Sequence, residues 1–144
     1  MNTMNYQQKT MSIVDCQQAV YTFYLSLDAG EIQTVASLVA SEGVWQRQGK
    51  ALKGPDEVLN ALKERPHGRV TAHMVQNLVV NIHNESEASA SYLCLVYRCD
   101  MKDPHTLPAP MQPLSILRYE DTFVSNSSGQ WLLRSKESKR IFEA

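Results

Sequence analysis

Residues 70–82, Val-Thr-Ala-His-Met-Val-Gln-Asn-Leu-Val-Val-Asn-Ile, mark the point at which the chain changes from helical to extended periodicity. β-Branched residues crowd the stretch and neither glycine nor proline interrupts it, so it reads as a strand. Alternation puts His73, Val75, Asn77, Val79 and Asn81 on one face and Met74, Gln76, Leu78, Val80 and Ile82 on the other. The second face is the more apolar. Binary patterning turns it to the core and exposes His73. A two-sided sheet allows the opposite: His73 lines a polar-spotted cavity under the helices, and the apolar face meets a second subunit. Alternation leaves both readings open.

Downstream, residues 88–99, 114–124 and 130 to about 139 are also β-branched or aromatic runs, giving four strands from Val70 onward. The connectors 83–87 and 125–129 are short and turn-rich, which favours antiparallel hairpins. Residues 100–113 carry Pro104, Pro108, Pro110 and Pro113 and form a longer loop. Upstream, Ile13, Cys16, Val20, Phe23 and Leu27 recur at helical spacing until Ala29-Gly30, with Ser12 and Asp15 as a capping box. A second, polar-tipped stripe of the same helix carries Gln17, Tyr21, Tyr24 and Asp28. Glu31 opens a second helix with Ile32, Val35, Ala36 and Val39 on one face, and residues 43–48 form a strand holding Trp45. Gly54-Pro55-Asp56-Glu57 starts a third helix that ends near Arg65, before Pro66 and Gly68. Residues 1–11 are polar and aperiodic and read as a disordered leader, leaving one domain over 12–144. Helices first and strands last predict an α+β fold, with helices packed on one face of a mainly antiparallel sheet.

At 144 residues the chain has no room for a separate cofactor domain, so any chemistry must fit inside one core. Fourteen Lys+Arg against fifteen Asp+Glu give a net charge of −1, which provides no general field for nucleic acid or anionic lipid. No apolar run approaches the roughly 20 residues of a membrane span. Cys16, Cys94 and Cys99 show no pair spacing, which suits a reduced, cytoplasmic chain. His67, His83 and His105 have no ligand spacing, so no metal is expected. The basic run from Arg134 to Arg140 lacks interleaved aromatics and reads as a solvated last strand in preference to an anion site.

Taken in order, Leu27-Asp28-Ala-Gly-Glu, Val44-Trp45, Gly54-Pro-Asp-Glu-Val, His73-Met-Val-Gln-Asn77 and Arg118-Tyr-Glu-Asp121-Thr-Phe ahead of Gly129-Gln-Trp131 resemble the SnoaL-like branch of the nuclear transport factor 2-like superfamily. The resemblance covers about residues 12 to 140. It implies a cone-shaped, cystatin-like roll: three helices against a strongly curved sheet, a pocket at the open end, and a homodimer formed through the outer sheet face. In its scytalone dehydratase and dehydrochlorinase members the chemistry rests on an Asp-His dyad, and Asp28 and His73 match those two positions. A carboxylate accepting the Nδ1 hydrogen fixes the imidazole tautomer and leaves Nε2 to remove a carbon-bound proton, with no cofactor needed. Where scytalone dehydratase has a second pocket histidine, this chain has Tyr97-Arg98.

Around the dyad, Tyr24 and Tyr21 either donate to an oxyanion or pack at the helix-sheet interface. Trp45 is a pocket wall or plain core, and Asn77 either orients a substrate or satisfies backbone groups. Two functions of different class follow. One is a cofactor-independent lyase, isomerase or cyclase acting on a small hydrophobic molecule, with His73 as general base and Asp28 as its orienter. The other is a non-catalytic ligand-binding or dimeric accessory protein of the same fold.

Overall fold

In the computed structural model, which describes residues 4–103 and 105–144, helix α1 spans Tyr6–Ala29. It starts well before Ser12. The Asn5 side chain accepts from the Gln8 amide at 2.8 Å and the Gln8 side chain accepts from the Asn5 amide at 3.0 Å, a reciprocal capping box in a segment without apolar periodicity. Most of the expected leader is therefore helical, and Ser12 is buried inside the helix rather than capping it; residues 1–3 lie outside the described residues. Cys16, Val20, Phe23 and Leu27 form the buried face. Gly30 ends α1 in the left-handed conformation, φ 76°, which glycine adopts without steric cost and which turns the chain into α2 (Ile32–Ser37).

Strand β1 (Val39–Arg47) pairs antiparallel with β2 (Lys50–Lys53), a strand the sequence reading did not anticipate. Gln48 and Gly49 both have positive φ, 51° and 79°, the geometry of a two-residue hairpin. Helix α3 (Gly54–Lys63) follows, with Asp56 and Glu57 in its first turn and Val58 and Leu62 buried. The remaining strands are β3 (Arg69–Ile82), β4 (Glu87–Asp100), β5 (Pro113–Ser125) and β6 (Trp131–Glu143). The sheet order is β2-β1-β6-β5-β4-β3; all neighbours are antiparallel except β1 and β6, which run parallel.

Register shifts interrupt the ladders between Gln76 and Val79 in β3 and between Thr122 and Phe123 in β5. Bulges of this kind bend a sheet and invert its alternation. The inversion resolves the question left by residues 70–82. Asn77 takes the left-handed conformation, φ 57°. Before it Thr71, His73 and Val75 are the more buried set; after it Leu78, Val80 and Ile82 are. Both the histidine and the apolar half thus face the helices, and Asn77 itself is exposed on the bulge. A comparable slip in β6 buries Leu133 and then Lys136.

Candidate active site

Antiparallel pairing brings the start of β3, the end of β4, the start of β5 and the end of β6 to one end of the sheet. The last turn of α1 and the end of β1 complete a cavity there of about 390 Å³, lined by Leu27, Trp45, Thr71, His73, Leu117 and Tyr119 among others. At its inner wall His73 Nδ1 lies 2.6 Å from Asp28 Oδ1. The same carboxylate accepts from the Thr71 hydroxyl at 2.8 Å and, through Oδ2, from the His73 backbone amide at 2.8 Å. The His73 and Asp28 side chains are only 12% and 21% exposed, so this pair is largely removed from water.

Asp28 is locally misplaced, because a carboxylate in the last turn of a helix faces the negative end of the helix dipole. Burial works to raise its pKa as well. The hydrogen bonds from the His73 ring and amide, the His73 charge and the Thr71 hydroxyl outweigh both effects and hold the carboxyl below its ordinary value. Such an arrangement keeps Asp28 ionised and fixes Nδ1 as the donor nitrogen. Nε2 has no hydrogen-bond partner among the described residues.

Trp45 is both wall and core: it lines the cavity, is 4% exposed, and meets Phe23 edge-on at 5.1 Å. Tyr24 stacks on the His73 ring at 5.3 Å, but its hydroxyl turns inward to Tyr92 at 2.9 Å and Lys136 at 3.1 Å. It is therefore a wall rather than an oxyanion donor. Tyr21 is 48% exposed and does not line the cavity; two turns of helix, about 10 Å of axial rise, separate it from Asp28. Asn77 is likewise outside the cavity, because the bulge it creates turns it away from the His73 face.

The basic run of β6 is not uniformly solvated. Lys136 is 1% exposed and its ammonium donates to Asp121 Oδ2 at 2.8 Å and to the Tyr92 hydroxyl at 2.6 Å, over the rings of Phe23 and Tyr119. Burial pushes Lys136 down and Asp121 up, each opposed by the other's charge. Five arginines, Arg47, Arg65, Arg69, Arg98 and Arg140, also line the cavity, so it is less apolar than the resemblance implies. Thr71, Tyr119, Arg47, Arg65 and Arg69 escaped the sequence reading, whereas Arg98 stands where the resemblance has a second pocket histidine and Arg140 ends the basic run. The alternation of Tyr119, Asp121 and Phe123 was a usable signal, since an inward aspartate needs a cation. Among the described residues no group of three His, Cys, Asp or Glu side chains is placed to hold a metal ion, and no helix is long and apolar enough to cross a membrane.

Helices laid on a bulged sheet, with a cavity at one end and a buried Asp-His pair in its wall, define a class of cavity-bearing α+β domains. The chain belongs to the SnoaL-like domain family, which matches residues 8–137. Among solved structures it is similar to a scytalone dehydratase-like protein from Novosphingobium aromaticivorans, at 18% identity over 97% of this chain and 91% of that one, TM-score 0.81. An NTF2-like protein with a cystatin-like fold from the same organism matches at 14% identity over 90% of this chain and 82% of that one, TM-score 0.73. A protein from Catenulispora acidiphila in complex with S-DNPA matches at 18% identity, 88% and 91% coverage and TM-score 0.72. At these identities the likeness shows the cystatin-like, NTF2-like fold. No curated protein matches the sequence.

Proposed function

We propose that this protein is a cofactor-independent lyase, isomerase or cyclase whose reaction begins with removal of a carbon-bound proton by His73. The observation that carries the proposal is the 2.6 Å contact between His73 Nδ1 and Asp28 Oδ1 in the wall of a cavity large enough for a small molecule. With Nδ1–H donated to Asp28, Nε2 takes the proton and the imidazolium forms beside a carboxylate that is already ionised. The electron pair released at carbon moves into a neighbouring carbonyl to give an enolate. Loss of a β-hydroxyl as water, protonated by the imidazolium, is dehydration; return of that proton to another carbon is isomerisation; and attack on a second carbonyl, whose oxygen takes the proton, is cyclisation. Trp45, Leu117 and the rings of Tyr24 and Tyr119 suit a flat, apolar part of the substrate.

Mere ligand storage gives no reason to keep a carboxylate at the wrong end of α1 or to give it three hydrogen-bond donors. The reaction class is tested in D₂O with a panel of aryl ketones and β-hydroxy ketones followed by NMR. Deuterium should enter the α-carbon of at least one compound with the native protein and not with His73→Ala. Equal exchange by both proteins would remove His73 as the base.

We also infer a homodimer through the outer sheet face. Met74, Leu95, Ile116 and Phe142 are successive register partners across β3, β4, β5 and β6, opposite the cavity, and Met74 and Phe142 are 42% and 66% exposed. A continuous apolar row of this kind is a self-complementary patch. Sedimentation should give twice the 16.3 kDa chain mass, falling to the single mass in Leu95→Glu. A native protein that sediments as a monomer at about 50 μM, well above the Kd of an ordinary stable interface, would contradict it.

A further inference from the structure

The five arginines of the cavity wall come from β1, the α3–β3 link, β3, β4 and β6, and among the described residues no aspartate or glutamate faces the cavity with them, Asp28 standing behind Thr71 and His73. In a chain of net charge −1 this is a local excess, not a reflection of composition. Three of the five have carboxylate partners beyond the cavity. Arg69 is held by both oxygens of Asp100, at 2.8 and 3.1 Å; Arg98 reaches the same carboxylate at 3.9 Å; Arg140 pairs with Glu143 at 3.1 Å. Among the described residues Arg47 and Arg65 have no ion-pair partner.

These two are positioned rather than loose. The Arg47 guanidinium carbon lies over the Trp45 ring, 5.2 Å from its centre, a cation–π contact. Arg65 Nη2 donates to Thr71 Oγ1 at 2.6 Å, and Thr71 donates in turn to Asp28 at 2.8 Å, so this guanidinium stands two hydrogen bonds from the dyad. Both are partly withdrawn from water. Burial first, and then like charge from Arg69, push Arg47 and Arg65 below the ordinary arginine value; Asp28 offsets part of the effect at Arg65. An anion arriving between them would relieve that cost.

We propose that the molecule bound here is an amphipathic carboxylate, its carboxyl group held by Arg47 and Arg65 in the field of Arg69 and its apolar body against Trp45, Leu117 and Tyr119. Guanidinium groups match the planar carboxylate with paired N–H donors. Guanidinium donors take phosphoryl groups too, and the titration below separates the two anions. Held this way, the carboxylate sets which carbon of the substrate faces His73 Nε2. The inference rests on the reading of this cavity as the reaction site and narrows its substrate class.

Calorimetric titration tests it with three probes of one size: 2-naphthoate, its methyl ester and 2-naphthyl phosphate. The acid should bind about ten- to a hundredfold more tightly than the ester at low salt, with the margin shrinking as salt is added. Arg47→Met should erase most of that margin with the ester still bound, and an unchanged far-UV circular dichroism spectrum shows that the variant is folded. Ester binding as tight as acid binding would overturn the proposal, and so would a phosphate that outcompetes the acid. Each probe is also titrated into His73→Ala, where the acid's advantage should persist because it does not depend on the base. Loss of the carboxylate preference would thus leave the general-base reading standing, and failure of the base would leave the preference standing.

Discussion

Replacing Asp121 with alanine should lower the unfolding free energy by about 3–5 kcal/mol, the usual cost of removing one member of a buried ion pair. Against a typical total of about 5–15 kcal/mol this is a large fraction. Both side chains are 1% exposed, and among the described residues the Lys136 ammonium has only Asp121, Tyr92 and Tyr24 as polar partners, at 2.8, 2.6 and 3.1 Å. Without the carboxylate, burial presses the lysine further toward its neutral form. The sign of the pH dependence follows. A lysine whose folded pKa lies below its unfolded value of 10.5 binds fewer protons folded than unfolded in the interval between them, so stability there rises with pH. Urea unfolding of Asp121→Ala should therefore show a larger loss at pH 7 than at about pH 9.5, just below the ordinary lysine value. Removing both charges together, as Asp121→Asn with Lys136→Met, should recover most of the loss. A single-variant loss under about 1 kcal/mol with no pH dependence would mean that the pair does not hold this core together.

That network matters to the site because it grips Tyr24. The phenol is bound to Tyr92 and Lys136 on one side, while its ring stacks on His73 at 5.3 Å on the other. The buried pair thus fixes one wall of the imidazole's slot. Asp28, Thr71 and the backbone of β3 fix the others.

Much of this was legible from residue spacing. The helical recurrence of Cys16, Val20, Phe23 and Leu27, the stop at Gly30 and the four long strands all follow from patterning, and Asp28 and His73 come together as the resemblance implied. What failed did so for definable reasons. A polar capping box at Asn5 and Gln8 has no hydrophobic signal behind it, so the start of α1 was read too late. Alternation cannot announce its own inversion, so the bulge at Asn77 turned that residue out of the site and Leu78, Val80 and Ile82 toward the core. A similar slip buried Lys136 within a run that looked solvated. Arg47, Arg65, Arg69, Arg98 and Arg140 form no local motif, because only the pairing of distant strand ends gathers them at one cavity.

The second large effect concerns the base itself. A positioned general base contributes roughly 10²–10⁴-fold, or about 3–5.5 kcal/mol of barrier at 1.36 kcal/mol per tenfold. His73→Ala should lose that whole factor. Asp28→Asn should lose at least tenfold, since an amide oxygen can still accept from Nδ1 but offers no charge to the imidazolium. The natural substrate is not needed to see this. In 5-nitrobenzisoxazole, removal of the isoxazole C3 proton breaks the N–O bond and releases a coloured cyanonitrophenolate, so its elimination reports any base poised beside an apolar surface. The measurement is the rate of that elimination by native protein, His73→Ala and Asp28→Asn, each corrected for buffer. The dyad account predicts a native rate well above buffer, reduced about a hundredfold or more in His73→Ala and by a smaller factor in Asp28→Asn. A native rate equal to buffer, or an undiminished rate in His73→Ala, would contradict it.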